Sequence, residues 1–345
     1  MDHPAPMRVT RASSTDVKKR THTRISAKTA GGAPFAWRSP VRSRVRWVIG
    51  FWVAVAVGCG ARTGLDVPFH KDAEPDVVFH HEAGVDVIEE DAPEFPPLDA
   101  AKHDVDKTGC PPLTFIYAVA TDDWLLRFDP PSATFTKIAQ LQCPAGGSHP
   151  FSMAVDRKDI AYVEYDNGMI FAVDTSTGIC SSTPYVADSV MPFGNFGMGY
   201  ATVGFGPDEQ LFVSADTPGT LGRIDILNGF KLLPVGEFKP SMPWAELTGS
   251  GDGRLYGFYG VGADSESAIA EIDKTTGLII GQDVMPEVHR GTGWAFALWG
   301  GDFWIFTHPG PQVTWHYDTA KKQATVVAHY GAAVVGAGVS TCAPQ

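Results

Sequence analysis

The chain has 345 residues, 44% of them hydrophobic and 19% charged, with a formal net charge of −12. That length holds one or two domains. The acidic balance repels phosphate backbones and anionic headgroups, which argues against nucleic acid as a partner.

Residues 1–46 carry 11 of the 27 Lys/Arg and only two acids, Asp2 and Asp16. The next stretch, "WVIGFWVAVAVG" at 47–58, is uncharged. A basic segment, a short apolar core and small residues before a cysteine describe a secretory signal. The core falls short of the about 20 apolar residues that a membrane-spanning helix needs. "AVGC" at 56–59 resembles a bacterial lipobox, with small residues at Ala56 and Gly58 beside the scissile bond and Ala56 standing where leucine is commoner. The resemblance implies that Cys59 becomes the lipid-modified mature N-terminus. An uncleaved signal anchor is the alternative, and either route exports the rest of the chain. Residues 1–40 show no periodicity and read as disordered sequence or as lying upstream of a true start near Val41. Removing residues 1–58 takes 11 of 27 bases and 2 of 39 acids, which leaves 16 against 37 and a net charge of −21.

"CGARTGL" at 59–65 resembles the run that follows the lipid cysteine in predicted myxobacterial lipoproteins, which implies a cell-envelope address. Gly60 replaces the aspartate that retains lipoproteins at the inner membrane, which points to the outer membrane. Residues 60–109 hold 13 acids, 4 bases and 5 prolines. Self-repulsion and sparse apolar content predict a disordered, extended tether over 59–109. Within it, His70, Asp72, His80, His81 and Glu82 are metal-ligand types without a helix or cysteine pair to fix them, so they read as solvated linker.

From residue 110 onward a pattern recurs. "RFD", "AVD", "RID", "EID" and "HYD" end on Asp129, Asp174, Asp225, Asp273 and Asp318, spaced 45, 51, 48 and 45 residues apart. Each follows a β-rich segment ("FIYAV", "AYVEY", "LFVSA", "LYGFY", "FWIFT"), and small polar turns such as "DRKD" and "GDG" punctuate the units. Four strands per 40–50 residues is the signature of a β-propeller, whose blades cannot each bury two apolar faces alone. The aspartates are expected to cap tight hairpins by accepting backbone N–H groups two residues on. Five blades over residues 110–345 is the simplest count, and six is the alternative. The first unit lacks an innermost strand and "GAGVSTC" at 336–342 lacks partners, so the C-terminal strand is expected to close the ring. The blade grammar resembles the YVTN, NHL and SMP-30-like propellers over about 230 residues, a likeness of fold that assigns no chemistry.

Ring closure also pairs the cysteines. Cys342 ends the closing strand and Cys110 precedes its neighbour, while Cys143 and Cys180 follow outermost strands of adjacent blades, so Cys110–Cys342 and Cys143–Cys180 are expected in an oxidising compartment.

No GxSxG elbow, Walker loop, CxxC or HExxH occurs. Calcium-dependent lactonase-type propellers place Glu, Asn and Asp around the axis. The resemblance would assign Glu246 and Asn195 to such a site, but no third ligand matches. A propeller hydrolase or lyase with a channel metal is therefore the alternative reading, with calcium as its cofactor. The preferred reading is a binding or scaffolding module. Aromatic residues recur where chain enters the innermost strands, so His149, Phe151, Asn195, Phe196, Trp244, Glu246 and Trp294 are expected to share one rim of the channel. Aromatic rims with a few polar groups suit an envelope glycan, peptide or protein partner.

Overall fold

The computed structural model describes residues 95–345, apart from 103, 188–192, 205, 216–218 and 263–265. The signal segment, Cys59 and the tether histidines lie outside the described residues. Twenty strands pair into five antiparallel four-stranded sheets. Blade 2 contains β4 (Pro150–Val155), β5 (Ile160–Tyr165), β6 (Ile170–Asp174) and β7 (Cys180–Ser182). Blade 3 contains β8 (Gly197–Thr202), β9 (Glu209–Ala215), β10 (Thr220–Asp225) and β11 (Lys231–Glu237). Blade 4 runs β12 (Glu246–Gly249), β13 (Leu255–Val261), β14 (Glu266–Ile272) and β15 (Ile279–Met285). Blade 5 runs β16 (Trp294–Trp299), β17 (Asp302–Thr307), β18 (Val313–Asp318) and β19 (Gln323–Ala328).

Blade 1 is the composite one. β1 (Ile116–Ala120), β2 (Trp124–Asp129) and β3 (Thr134–Gln140) take their innermost partner from the C-terminus, β20 (Val334–Val339). β20 pairs antiparallel with β1, Ile116 facing Val339 and Tyr117 facing Gly338. The fold is a five-bladed β-propeller closed by its last strand.

Five core clusters fill the five spaces between successive blades. Between blades 4 and 5, Phe258, Phe296 and Phe303 interleave; between blades 5 and 1, Phe128 meets Trp304 and Phe306 at ring-centroid distances of 5.5 Å each. The inner strands sit so close that side chains are excluded. A Cβ on Gly199 would lie 2.7 Å from the Leu247 carbonyl carbon of β12, and one on Gly336 2.7 Å from the Met153 nitrogen of β4. Real Cβ contacts are longer than that, so these positions need glycine for approach rather than for φ.

Three of the five repeated aspartates cap hairpins as expected. Asp225 instead accepts Asn228 N–H three residues on at 3.1 Å, and Asp129, ahead of a short 3-10 turn, accepts the Ser132 hydroxyl. Asp174 Oδ1 accepts the Ser176 and Thr177 N–H groups at 2.9 and 3.0 Å, Asp273 Oδ1 accepts Thr275 N–H at 2.8 Å, and Asp318 Oδ1 accepts Ala320 N–H at 3.1 Å. Turns at 178 and 277 place glycine at φ +74° and +82°, a region hostile to other side chains.

The disulfides join Cys110 to Cys342 and Cys143 to Cys180. Cys180 opens the outer strand β7 rather than following it.

Composition alone assigns residues 95–109 to the tether, whereas the structure packs the described residues of this segment on the propeller. Pro96 carbonyl accepts Gln282 N–H at 3.0 Å along the outer edge of β15, and the buried Leu98 donates its N–H to Asp283 Oδ1 at 3.2 Å. Lys322 Nζ donates to the Leu98 carbonyl at 2.9 Å, and the Arg254 guanidinium to those of Asp99 and Ala101. The segment then crosses the downstream mouth of the ring, where the inner strands end. Lys102 lies on Gly301 after β16, Val105 on Gly251 after β12, and Lys107 donates to the Cys342 carbonyl after β20. Arg157, after β4, donates to the carbonyls of Asp106 and Thr108 and to Thr341 Oγ1. Phe95, Leu98 and Val105 supply apolar anchors that a charge count does not register, and basic side chains of the propeller satisfy the segment's carbonyls.

Glu209 completes this latch, accepting Arg157 N–H at 2.8 Å and Thr341 Oγ1–H at 2.9 Å. Burial, opposed by those two hydrogen bonds, pushes its carboxyl up to about 7 from 4.5. The folded state therefore holds a proton that the unfolded chain releases near pH 4.5, so stability is full below that pH and declines as pH rises through 7. The decline is at most about 3 kcal/mol, from 1.36 kcal/mol per pH unit. Glu209→Gln is expected to flatten that slope in chemical-denaturation curves taken from pH 4.5 to 8.

The two disulfides close loops with separations of 232 and 37 residues. In the chain-entropy model they contribute about 5 and about 4 kcal/mol. Removing Cys110–Cys342 with paired alanines is expected to lower unfolding free energy by about 1.6 kcal/mol more than removing Cys143–Cys180, as read from denaturant midpoints at a common slope.

Candidate functional site: an aromatic cleft at the upstream mouth

At the upstream mouth, where the inner strands begin, Phe151 of β4, Trp244 just ahead of β12 and Trp294 of β16 come together although blades 2, 4 and 5 supply them. The Phe151 and Trp244 ring centroids are 5.4 Å apart at 36°, and those of Trp244 and Trp294 4.7 Å apart at 65°. All three are half-buried. They bound a cleft of about 210 Å³ whose remaining walls include Pro150, Thr292, Gly293 and Val335. Arg290 places its guanidinium 4.7 Å from the Trp294 ring centroid. Both indole Nε1 atoms are buried without a hydrogen-bond acceptor among the described residues, so the rings offer the cleft their surfaces.

The other expected rim residues divide. His149 is exposed at the mouth, with Nδ1 3.1 Å from Asp123 Oδ1. Asn195 turns outward and donates Nδ2–H to the Asp166 carbonyl at 3.3 Å. Phe196 is a correction: it is 0% exposed and packs edge-on with Tyr185 and Phe193, because the loop ahead of β8 folds its ring into the space between blades 2 and 3. Glu246 is also buried, at 1% exposure, and does not line the cleft.

Glu246 belongs to a polar cluster near the axis. Ser152 Oγ–H donates to Glu246 Oε2 at 2.8 Å and accepts Met198 N–H at 3.2 Å, linking blades 2, 3 and 4 through one hydroxyl. Glu164 of β5, paired across the sheet with Ser152, accepts Phe196 N–H at 3.1 Å. The Oε1 atom of each glutamate lacks a partner among the described residues. Burial pushes both carboxyls well above the usual carboxylate range; Ser152 opposes this at Glu246, and at Glu164 the Phe196 N–H opposes it while neighbouring Glu246 adds to it. Burial in this low-dielectric cluster favours the neutral form of both acids.

Glu246 and Asn195, the two residues a channel metal would draw on, turn to different partners. Among the described residues, no group of three or more His, Cys, Asp or Glu side chains is placed to hold a metal ion. Sequence reasoning missed Arg290, Ser152 and Glu164. Only Glu164 had a signal: a lone acid in the apolar strand "AYVEY".

No family model matches the chain, and no curated protein matches it. Among solved structures, it is similar to a protein of unknown function from Bacteroides caccae, at 12% identity over 65% of this chain and 85% of that one, TM-score 0.40. It is similar to the extracellular domain of a putative one-component system from B. thetaiotaomicron at 13% identity and TM-score 0.31, over 68% of this chain and 30% of that one. Similarity to U3-55K covers 70% of this chain and 87% of that one, at 11% identity and TM-score 0.36. These identities and TM-scores carry no functional argument; the five-bladed fold rests on the strand pairing of this chain.

Because burial favours the neutral Glu246 carboxyl, Glu246→Gln keeps the favoured charge and an acceptor for Ser152. It is expected to change unfolding free energy by less than about 1 kcal/mol, whereas Glu246→Ala, which leaves a cavity and strands Ser152, is expected to cost about 2–4 kcal/mol. Denaturant titration at pH 7 compares the two, and an equal loss would mean that the carboxylate is charged.

Proposed function

We propose that this chain is an exported, lipid-anchored protein of the bacterial cell envelope whose five-bladed propeller is a binding module, engaging its ligand or partner through the cleft of Phe151, Trp244 and Trp294. The observation that carries the reading is the difference between the two ends of the ring. The downstream mouth is crossed by the protein's own Lys102 and residues 104–110, while the upstream mouth gathers three half-buried rings from three blades around a cleft. A ring buried only for packing has no need of that convergence, and aromatic surface partly open to water is where binding energy concentrates. The envelope address is supported by the signal-like segment ahead of Cys59 and by two disulfides, which persist in oxidising compartments. An envelope glycan, peptide or protein fits this surface where it presents a compact group that needs few hydrogen bonds.

Two measurements test the reading. Labelled palmitate is expected to enter the wild-type chain and not Cys59→Ala, with the label in the outer-membrane fraction. Full-length protein incubated with envelope extract is expected to retain a partner that Trp244→Ala and Trp294→Ala lose while their melting temperatures stay within a few degrees of wild type. Leu227→Ala, at a residue 95% exposed and outside the cleft, serves as the control. Partners unchanged in both tryptophan variants would remove the cleft from the function.

A further inference from the structure

The cleft's chemistry narrows what it can hold, provided that the upstream mouth is the binding site proposed above. Its walls are ring faces, proline, glycine and valine, and its polar side chain, Thr292, is engaged with His308 Nδ1 at 3.0 Å. The indole N–H groups are buried out of reach. A sugar or a peptide backbone would find few hydrogen-bonding groups to replace its water, and burying unpaired hydroxyls or amides is costly. A ligand that gains from this surface has no hydrogen-bond donors of its own to satisfy.

Electrostatics supplies the second half. The faces of Trp and Phe carry negative quadrupole potential, and Trp294 already holds a guanidinium, that of Arg290, 4.7 Å from its centroid. Asp123 Oδ1 lies 3.1 Å from Nδ1 of His149, the residue that precedes cleft-lining Pro150. The whole chain is acidic, at −12. Three ring faces at different inclinations attract positive charge through their quadrupoles. At about 210 Å³ the cleft is smaller than the roughly 300–1,000 Å³ of sites for drug-sized ligands, so it takes a headgroup rather than a large molecule.

We propose that Phe151, Trp244 and Trp294 form an aromatic cage for a trimethylammonium headgroup. Such a group is cationic, compact and unable to donate an N–H, which matches walls that are π-rich and poor in polar side chains. The headgroup belongs either to a free solute or to a phosphocholine lipid, and the test separates the two.

The full chain is titrated with choline, with its neutral carbon isostere 3,3-dimethyl-1-butanol, and with phosphatidylcholine vesicles, while the indole N–H resonances of its nine tryptophans are followed by NMR. Choline is expected to shift the Trp244 and Trp294 signals saturably, with those signals assigned from Trp244→Phe and Trp294→Phe. The isostere, equal in shape but uncharged, is expected to bind about ten-fold more weakly. The phenylalanine variants keep an aromatic face and the fold, and each is expected to weaken choline several-fold at an unchanged melting temperature. Vesicles that displace choline assign the headgroup to lipid, and vesicles that do not assign it to a solute. Absence of saturation by choline, or equal binding of the neutral isostere, overturns the cage. If that happens while extract capture still depends on Trp244, the mouth remains the binding site for a different chemistry; if capture dependence is lost as well, both readings fall.

Discussion

The structure depends on one antiparallel pairing, that of the last strand with the first. β20 fills the innermost place of blade 1, so the propeller is complete only when residues more than two hundred positions apart lie side by side. The contact order is high, and the loop-closure entropy is spent before most interblade contacts form. What offsets it is circular burial. Each of the five apolar clusters needs two blades, so the space between blades 5 and 1 is no less a core than the others. The Cys110–Cys342 bridge and the Glu209–Thr341–Arg157 latch sit at the end of that same strand, where an unzipping event would begin.

The repeat was legible because its physics is local. An aspartate accepting N–H groups two residues on, and a glycine at positive φ, are written in every unit that needs the same hairpin, so Asp174, Asp273 and Asp318 announce blades in sequence. The missing inner strand of the first unit followed by counting. Glycine in the inner strands carried a second message that sequence alone left unread. Gly199 and Gly336 mark where backbones of neighbouring blades meet, an effect of ring size that no single blade encodes.

The site was legible in part, and the division is instructive. Phe151, Trp244 and Trp294 share a position in the blade and converge on the axis as the topology dictates. Phe196 occupies the equivalent position in blade 3 and is drawn inward instead, because Tyr185 and Phe193 from the preceding connection offer it an apolar pocket. Position in the repeat fixes where a side chain starts, and the packing of irregular connections decides which way it turns. The segment at 95–109 taught the same lesson. Its charge resembles that of a solvated linker, while three apolar side chains and a row of backbone carbonyls facing Arg254, Lys322 and Arg157 decide its placement.

That docked segment determines how the molecule bears a mechanical load. Tension arriving at Phe95 meets the carbonyl clamps of blades 4 and 5 first, and then Cys110, which is covalently bound to the far end of the chain. From there the strain divides between the start of β1 and the finish of β20, which lie together at one end of the same ladder. Pulling drags the two strands as a unit instead of peeling one from the other, so traction on the polypeptide does not work against the seam that makes it a ring.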